Sequence, residues 1–190
     1  TVLPTAAGTV EPDASAFLGW RFVETVPLAE FFAAVPGRSM TQTFDFGDNL
    51  TGYLTLKLEF EREMDAPFQI KIVLGETARE LGENFDDYNG ELGRGWLQQE
   101  FITLDDPQAE IKLPRRYTFR YVRLEVIMNS PFYRYQITGL AAETVTSADV
   151  SQLLPPPATL SPLEKEIDRI ARENGVTALG TGINPGLMMD

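Results

Sequence analysis

The side chains best suited to chemistry gather in one acidic stretch, Glu83-Asn84-Phe85-Asp86-Asp87-Tyr88-Asn89-Gly90-Glu91, followed shortly by Trp96. Asp86, Asp87 and Asn89 offer the hard oxygen donors that Ca2+ prefers, but their spacing is not that of an EF-hand loop, and a solvated acidic loop has the same composition. Tyr88 and Trp96 beside Asp86, Asp87 and Asn89 make a second combination, aromatic faces next to hydrogen-bonding groups, from which sugar sites are built. Aromatic residues that merely pin a long loop would look alike. Asp86 and Asp87 are also paired carboxylates, yet glycosidic acid/base work needs two carboxyl groups about 5 to 9.5 Å apart across the scissile bond. Adjacent residues rarely face one substrate in that way. Glu76, just past the apolar run that ends at Leu74, reads as a surface or structural carboxylate.

The rest of the composition narrows the chemistry further. The chain has no His and no Cys, so the usual general base, the commonest metal ligand, zinc-thiolate sites and disulfides are all missing. A Cys-free chain fits a secreted or a cytoplasmic protein equally. Sixteen Lys and Arg against 28 Asp and Glu leave a net charge of -12, which repels nucleic-acid backbones and anionic membrane surfaces. No run is long and apolar enough to suggest a membrane span. Arg115, Arg116, Arg120 and Arg123 form the one concentrated basic cluster, and internal ion pairing or inter-domain contact explains them better than anion binding. Gly180-Thr181-Gly182 matches no phosphate-loop pattern.

The elements that must position these residues are mostly strands. Between residues 40 and 145, Leu54, Leu56, Leu58 and Phe60 share one face of an alternating run, Phe68 to Leu74 repeats the pattern, and Val122, Leu124, Val126 and Met128 alternate with Tyr121, Arg123, Glu125 and Ile127. Such alternation buries one side of an antiparallel sheet. Gln42 to Phe46, Leu97 to Leu104, Ala109 to Leu113, Tyr133 to Thr138 and Ala142 to Thr146 complete the strand set, with turn residues such as Gly47-Asp48-Asn49 and Asn129-Ser130-Pro131 between. The fold class expected is all-β, an antiparallel, jelly-roll-like β-sandwich over residues 40–150 with a short C-terminal helical appendage. Residues 1–39 form a lead-in, in which Pro27 to Val35 suits a short helix or an irregular strand. The one long loop, Glu80 to Gly95, holds the candidate site.

Residues 151–160, with Pro155-Pro156-Pro157, read as a linker. After it the period turns helical: Ser161 caps, Pro162 suits the first turn, Glu164 completes a capping box, Leu163, Ile167, Ile170 and Ala171 make an apolar stripe, and Gly175 ends the helix. Val176 to Leu179 then reads as a short buried strand, so residues 161–190 make an incomplete α/β fragment.

Taken in order, Thr43 to Tyr53, Leu74-Gly75-Glu76, Gly95 to Gln99 and Leu113 to Leu124 resemble the β-domain of the family 78 glycoside hydrolases, the α-L-rhamnosidases. The resemblance covers about residues 40–145. It implies a non-catalytic accessory sandwich whose partner is the (α/α)6 catalytic barrel of a parent chain, with a plant or microbial glycan as a possible ligand. It carries over no catalytic residue and no cofactor, and Ca2+ is the one ion the acidic loop suggests. The readings beside it are an independent carbohydrate-binding module and a structural or engineered interaction domain. Residues from about Leu163 to Asp190 resemble instead a segment of dihydrodipicolinate-reductase-like, diaminopentanoate-dehydrogenase-like enzymes.

Overall fold

Leu54, Leu56 and Leu58 are completely or almost completely buried, as are Phe68, Ile70, Ile72 and Leu74, so the two clearest alternating runs each turn one face into a single core. In the computed structural model, which describes residues 1–33, 41–61, 64–91, 93–106, 108–145 and 154–178, eight strands supply that core. They are β1 (Ala6–Pro12), β2 (Trp20–Val26), β3 (Thr41–Phe60), β4 (Phe68–Gly75), β5 (Gln99–Leu104), β6 (Gln108–Lys112), β7 (Tyr117–Met128) and β8 (Tyr135–Thr144). Every pairing among them is antiparallel.

Strand β3 makes the sandwich. Its first half lies in one layer, in the order β2-β1-β3-β7-β4-β5, and its second half pairs with β6 and β8 in the other. The crossing falls at Gly52, which opposes Tyr117 of β7 on one side and Thr144 of β8 on the other. A side chain here would sit 2.2 Å from the Glu143 carbonyl oxygen, so the approach demands glycine. Aromatic rings meet edge to face in the core: Phe46 with Phe119 at 5.3 Å within the first layer, and Phe60 with Phe68 at 5.2 Å between the two.

Two sequence expectations change within the sandwich. Gly47-Asp48-Asn49, expected as a turn between two strands, is a bulge inside the 20-residue β3. The Gly47 N–H donates to the Asp45 carboxylate at 2.7 Å and the glycine takes φ +85°, which lets the strand kink and resume. Tyr133 to Thr138 and Ala142 to Thr146 are likewise joined as β8, with a register shift opposite Lys57 and Leu58; Thr146 lies outside the described residues. In the lead-in, β1 and β2 pair into the first layer, and the Pro27 to Val35 stretch forms helix α1 (Leu28–Ala33), Val35 lying outside the described residues. Phe31 of α1 packs edge-on against Phe44 at 5.1 Å.

Helix α3 (Pro162–Ala178) has the capping box read from sequence: the Glu164 N–H donates to the Ser161 hydroxyl and the Ser161 N–H to the Glu164 carboxylate. It does not stop at Gly175, and Val176 to Ala178 continue it rather than forming a strand. A glycine inside a helix costs about 1 kcal/mol, which does not end a helix that no other residue breaks. Residues 151–153 of the linker, and Leu179 with Gly180-Thr181-Gly182 and the rest of the tail, lie outside the described residues.

Candidate functional site

The acidic loop is more ordered than its composition suggests. Thr77-Ala78-Arg79-Glu80 is a capping box that starts helix α2 (Ala78–Gly82): the Thr77 N–H and hydroxyl both reach the Glu80 carboxylate, at 3.2 and 2.9 Å. Leu81 is fully buried, and the Trp20 ring lies so close to Gly82 that a Cβ there would fall 2.3 Å from it. The S/T-x-x-E signature was present in the sequence, and it is the signal that would have shortened the loop.

Beyond α2 come two single 3-10 turns, Phe85–Asp87 and Arg94–Trp96. Asn84 caps the first, accepting from the Asp86 N–H at 3.1 Å and donating to the Asp87 carboxylate at 3.1 Å. Arg94 ties the turns together by donating to the Asp86 carbonyl oxygen at 2.8 Å. Arg115 then fastens the end of the loop to the sheet. Its guanidinium donates to the Gly95 carbonyl at 2.9 Å, the Leu97 carbonyl at 2.8 Å and the Glu100 carboxylate at 3.0 Å. Glu100 also accepts from the Tyr117 hydroxyl at 2.6 Å, and burial, helped by this bond, pushes that phenol well above its ordinary range. Gln98 completes the anchorage with both ends of its amide, accepting from the Thr118 N–H and donating to the Thr118 carbonyl.

The candidate residues divide on this frame. Asp86 and Asp87 are solvent-exposed on the first turn, and Asn89 is exposed two residues beyond it. Among the described residues no group of three or more acidic side chains is placed to hold a metal ion. Tyr88 folds back over Gly90, where a Cβ would fall 2.2 Å from its hydroxyl, so its ring serves the loop itself. Trp96 differs: it is 37% exposed on a turn held at both ends. The loop therefore presents one aromatic face and two exposed carboxylates, Asp87 bonded to Asn84, on a fixed support.

Arginines of the basic cluster are engaged with carboxylates of the sheets. Arg120 donates to both oxygens of Asp45 at 2.9 Å, which raises the guanidinium above its ordinary value, and Arg123 lies 2.6 Å from Glu125. The basic cluster is thus internal ion pairing at Arg115, Arg120 and Arg123. Glu76 accepts from the Asn49 side chain at 2.7 Å and is a structural carboxylate.

Comparison with known proteins agrees with this arrangement. The segment 4–144 matches the model described as the glycosyl hydrolase family 78 alpha-rhamnosidase N-terminal domain. Among solved structures the chain is similar to the rhamnosidase from Klebsiella oxytoca with rhamnose bound, with 36% identity, a TM-score of 0.88, and coverage of 94% of this chain and 35% of that one. It also matches the family 78 rhamnosidase of Bacillus sp. GL1 at 17% identity and a TM-score of 0.43, over 67% of this chain and 13% of that one. A short stretch of 28 residues is 79% identical to 2,4-diaminopentanoate dehydrogenase of Acetoanaerobium sticklandii, which is 15% of this chain and 8% of that enzyme. The chain spans about a third of the length of the Klebsiella rhamnosidase. With the family model matched across most of its length and every strand but none of α3 inside the match, this chain belongs to the family 78 alpha-rhamnosidase N-terminal domains.

Proposed function

We propose that the chain works as a non-catalytic accessory β-sandwich of a rhamnosidase-like glycoside hydrolase, which holds and orients a hydrolytic unit outside it. The observation that carries this reading is the pairing of a family match over residues 4–144 with coverage of only 35% of the related rhamnosidase. The sheet carboxylates Asp45, Glu100 and Glu125 fit the same reading, because each is committed to an arginine of the protein itself. The test is hydrolysis of p-nitrophenyl α-L-rhamnoside by the purified 190-residue chain. No turnover above buffer is expected; turnover that rises with protein concentration and disappears in a variant with Asp86→Asn and Asp87→Asn would sink the proposal.

A second reading is favoured by Trp96, whose exposed indole sits on an anchored turn in the manner of a sugar-stacking platform. In it the loop contacts glycan through Trp96, with Asp86, Asp87, Tyr88 and Asn89 of the same loop as further candidates and Ca2+ as a candidate at Asp86, Asp87 and Asn89. Titration of rhamnose or rhamnosides against tryptophan fluorescence, with and without EDTA, checks both parts. Saturable quenching that Trp96→Ala abolishes supports glycan contact, and an absence of saturation at millimolar sugar removes it.

A further inference from the structure

The outer face of the first layer holds a lysine that the fold covers without satisfying. Lys71 lies in the middle of β4, opposite Phe101 of β5 on one side and Glu125 of β7 on the other. Its neighbours Ile70 and Ile72 are fully buried in the core, so Lys71 points away from it. Directly opposed residues share a face, which places Phe101 and Glu125 beside the lysine there. The Lys71 side chain is nonetheless only 9% exposed, whereas Phe101, on the last strand of the layer, is 60% exposed.

The Lys71 ammonium lies 5.6 Å from the centre of the Phe101 ring and 3.9 Å from the Glu125 carboxylate, beyond hydrogen-bond reach. Among the described residues it donates no hydrogen bond, although an ammonium has three N–H donors. A buried donor without an acceptor is costly, so oxygen atoms from outside the protein are needed to satisfy it. The nitrogen is not closed off from solvent, and they can reach it. Glu125 is steadied through its other oxygen, 2.6 Å from Arg123, and so keeps one oxygen turned toward Lys71.

The group that fits between a pure donor and a pure acceptor is a hydroxyl, which accepts from one and donates to the other. An anion would suit Lys71 but meet Glu125, and a cation would do the reverse. The exposed aromatic ring alongside suits the apolar side of a saturated ring that carries hydroxyls at its edge. Gln69 and Thr103, joined at 3.4 Å on the same face, add polar groups next to Phe101. We infer that Lys71, Glu125 and Phe101 form a binding site for a neutral sugar ring, one hydroxyl lying between Lys71 and Glu125 and the apolar side of the sugar against the exposed part of Phe101. The site is separate from Trp96 and goes beyond the accessory reading.

The test is an NMR titration of the isotope-labelled 190-residue chain with L-rhamnose, D-glucose and D-galactose as neutral probes and D-glucuronate as a charged one. A neutral probe should move the amide signals of Lys71, Phe101 and Glu125 saturably in the millimolar range. Lys71→Met keeps the apolar stem and removes the donors, and Phe101→Ala removes the ring; each should weaken binding about tenfold, while Trp96→Ala leaves it unchanged. Signals of β8, in the other layer, stay in place if the variants fold, which separates a lost contact from a lost structure. Phe101→Ala in particular removes an exposed side chain and should fold as the parent does. If no neutral probe gives saturable shifts at these three residues, water alone satisfies Lys71 and the inference is overturned. Shifts with D-glucuronate only would make this an anion site and overturn it as well. Shifts confined to Trp96 and its loop would leave glycan contact by the loop standing and remove this site.

Discussion

Replacing Arg115 by alanine should loosen the candidate loop without unfolding the sandwich. The guanidinium makes three hydrogen bonds, to Gly95, Leu97 and Glu100, and covers the Tyr117 ring at 5.2 Å. Hydrogen bonds to charged groups contribute roughly 1.5–3 kcal/mol each. The three do not add, because they restrain one segment, and the side chain is 37% exposed, so water replaces part of what is lost. A local loss of about 2 kcal/mol is the working figure. At tenfold per 1.4 kcal/mol, this corresponds to roughly 30-fold faster exchange of amide protons that open with the loop. The reporters are the N–H groups of Trp96 and Leu97, bonded to Gly93 and Arg94; those of β4 should not change. Hydrogen exchange followed by mass spectrometry reads both regions at once. Arg115→Lys should recover little, since an ammonium cannot span three acceptors held in the plane of a fork. If exchange at Trp96 and Leu97 stays within about twofold of the parent, or rises equally in β4, then Arg115 does not anchor the loop and the reasoning fails.

Two further substitutions test the framework. Gly52→Ala should destabilise the chain by about 3 kcal/mol or prevent folding, because the new methyl would meet the backbone of Glu143 where β3 changes layers; urea unfolding measures this, and a loss below about 1 kcal/mol would show that the strands can part there. Tyr135 is buried, its hydroxyl has no hydrogen-bond partner among the described residues, and burial pushes its pKa up to about 12. The neutral phenol is therefore the form the fold favours, and its contribution is complete below pH 10 and falls away as pH rises from 10 to about 12. Tyr135→Phe should hold or raise stability by about 1 kcal/mol at neutral pH and flatten that alkaline loss, as unfolding curves at pH 8 and pH 11 would show.

Much of the sandwich was legible because its core strands obey one period. Leu54, Leu56 and Leu58 face inward as the alternation requires, and so do Val122 and Leu124. The pattern fails where the backbone changes register. On β7, Val126 opposes Ile70 but Met128 opposes Gln69, so Ile127 is an extra residue and Met128, expected on the buried face, is exposed. A bulge of this kind leaves no mark in composition. Gly47-Asp48-Asn49 failed for the opposite reason: a bulge and a turn call for the same residue types, and only the partner strand distinguishes them. The loop was found by its composition, but its anchor was not. Arg115 acts across 15 to 20 residues of sequence, and no local pattern announces a contact of that range. The apolar stripe of α3 was legible, but not that Leu163, Ile167 and Ile170 stay exposed, since periodicity tells which residues share a face and not what covers it.

The β3 bulge joins these observations into one mechanical argument. Within five residues, three side chains each hold a different element: Asp45 holds β7 through Arg120, Asp48 holds α3 through Arg169, and Asn49 holds the approach to α2 through Glu76. The loop that carries Trp96 is fixed to the same strand β7, through Gln98 and Thr118 and through Arg115 near its start. One kinked strand therefore touches α3 and, across a single neighbour, supports the turn that carries the exposed indole. Regular pairing would have placed these groups on sheet faces, whereas a bulge turns side chains away from the ladder. The accessory role proposed above would draw on such rigidity. Arg120 supplies it between strands, and Arg115 between loop and strand.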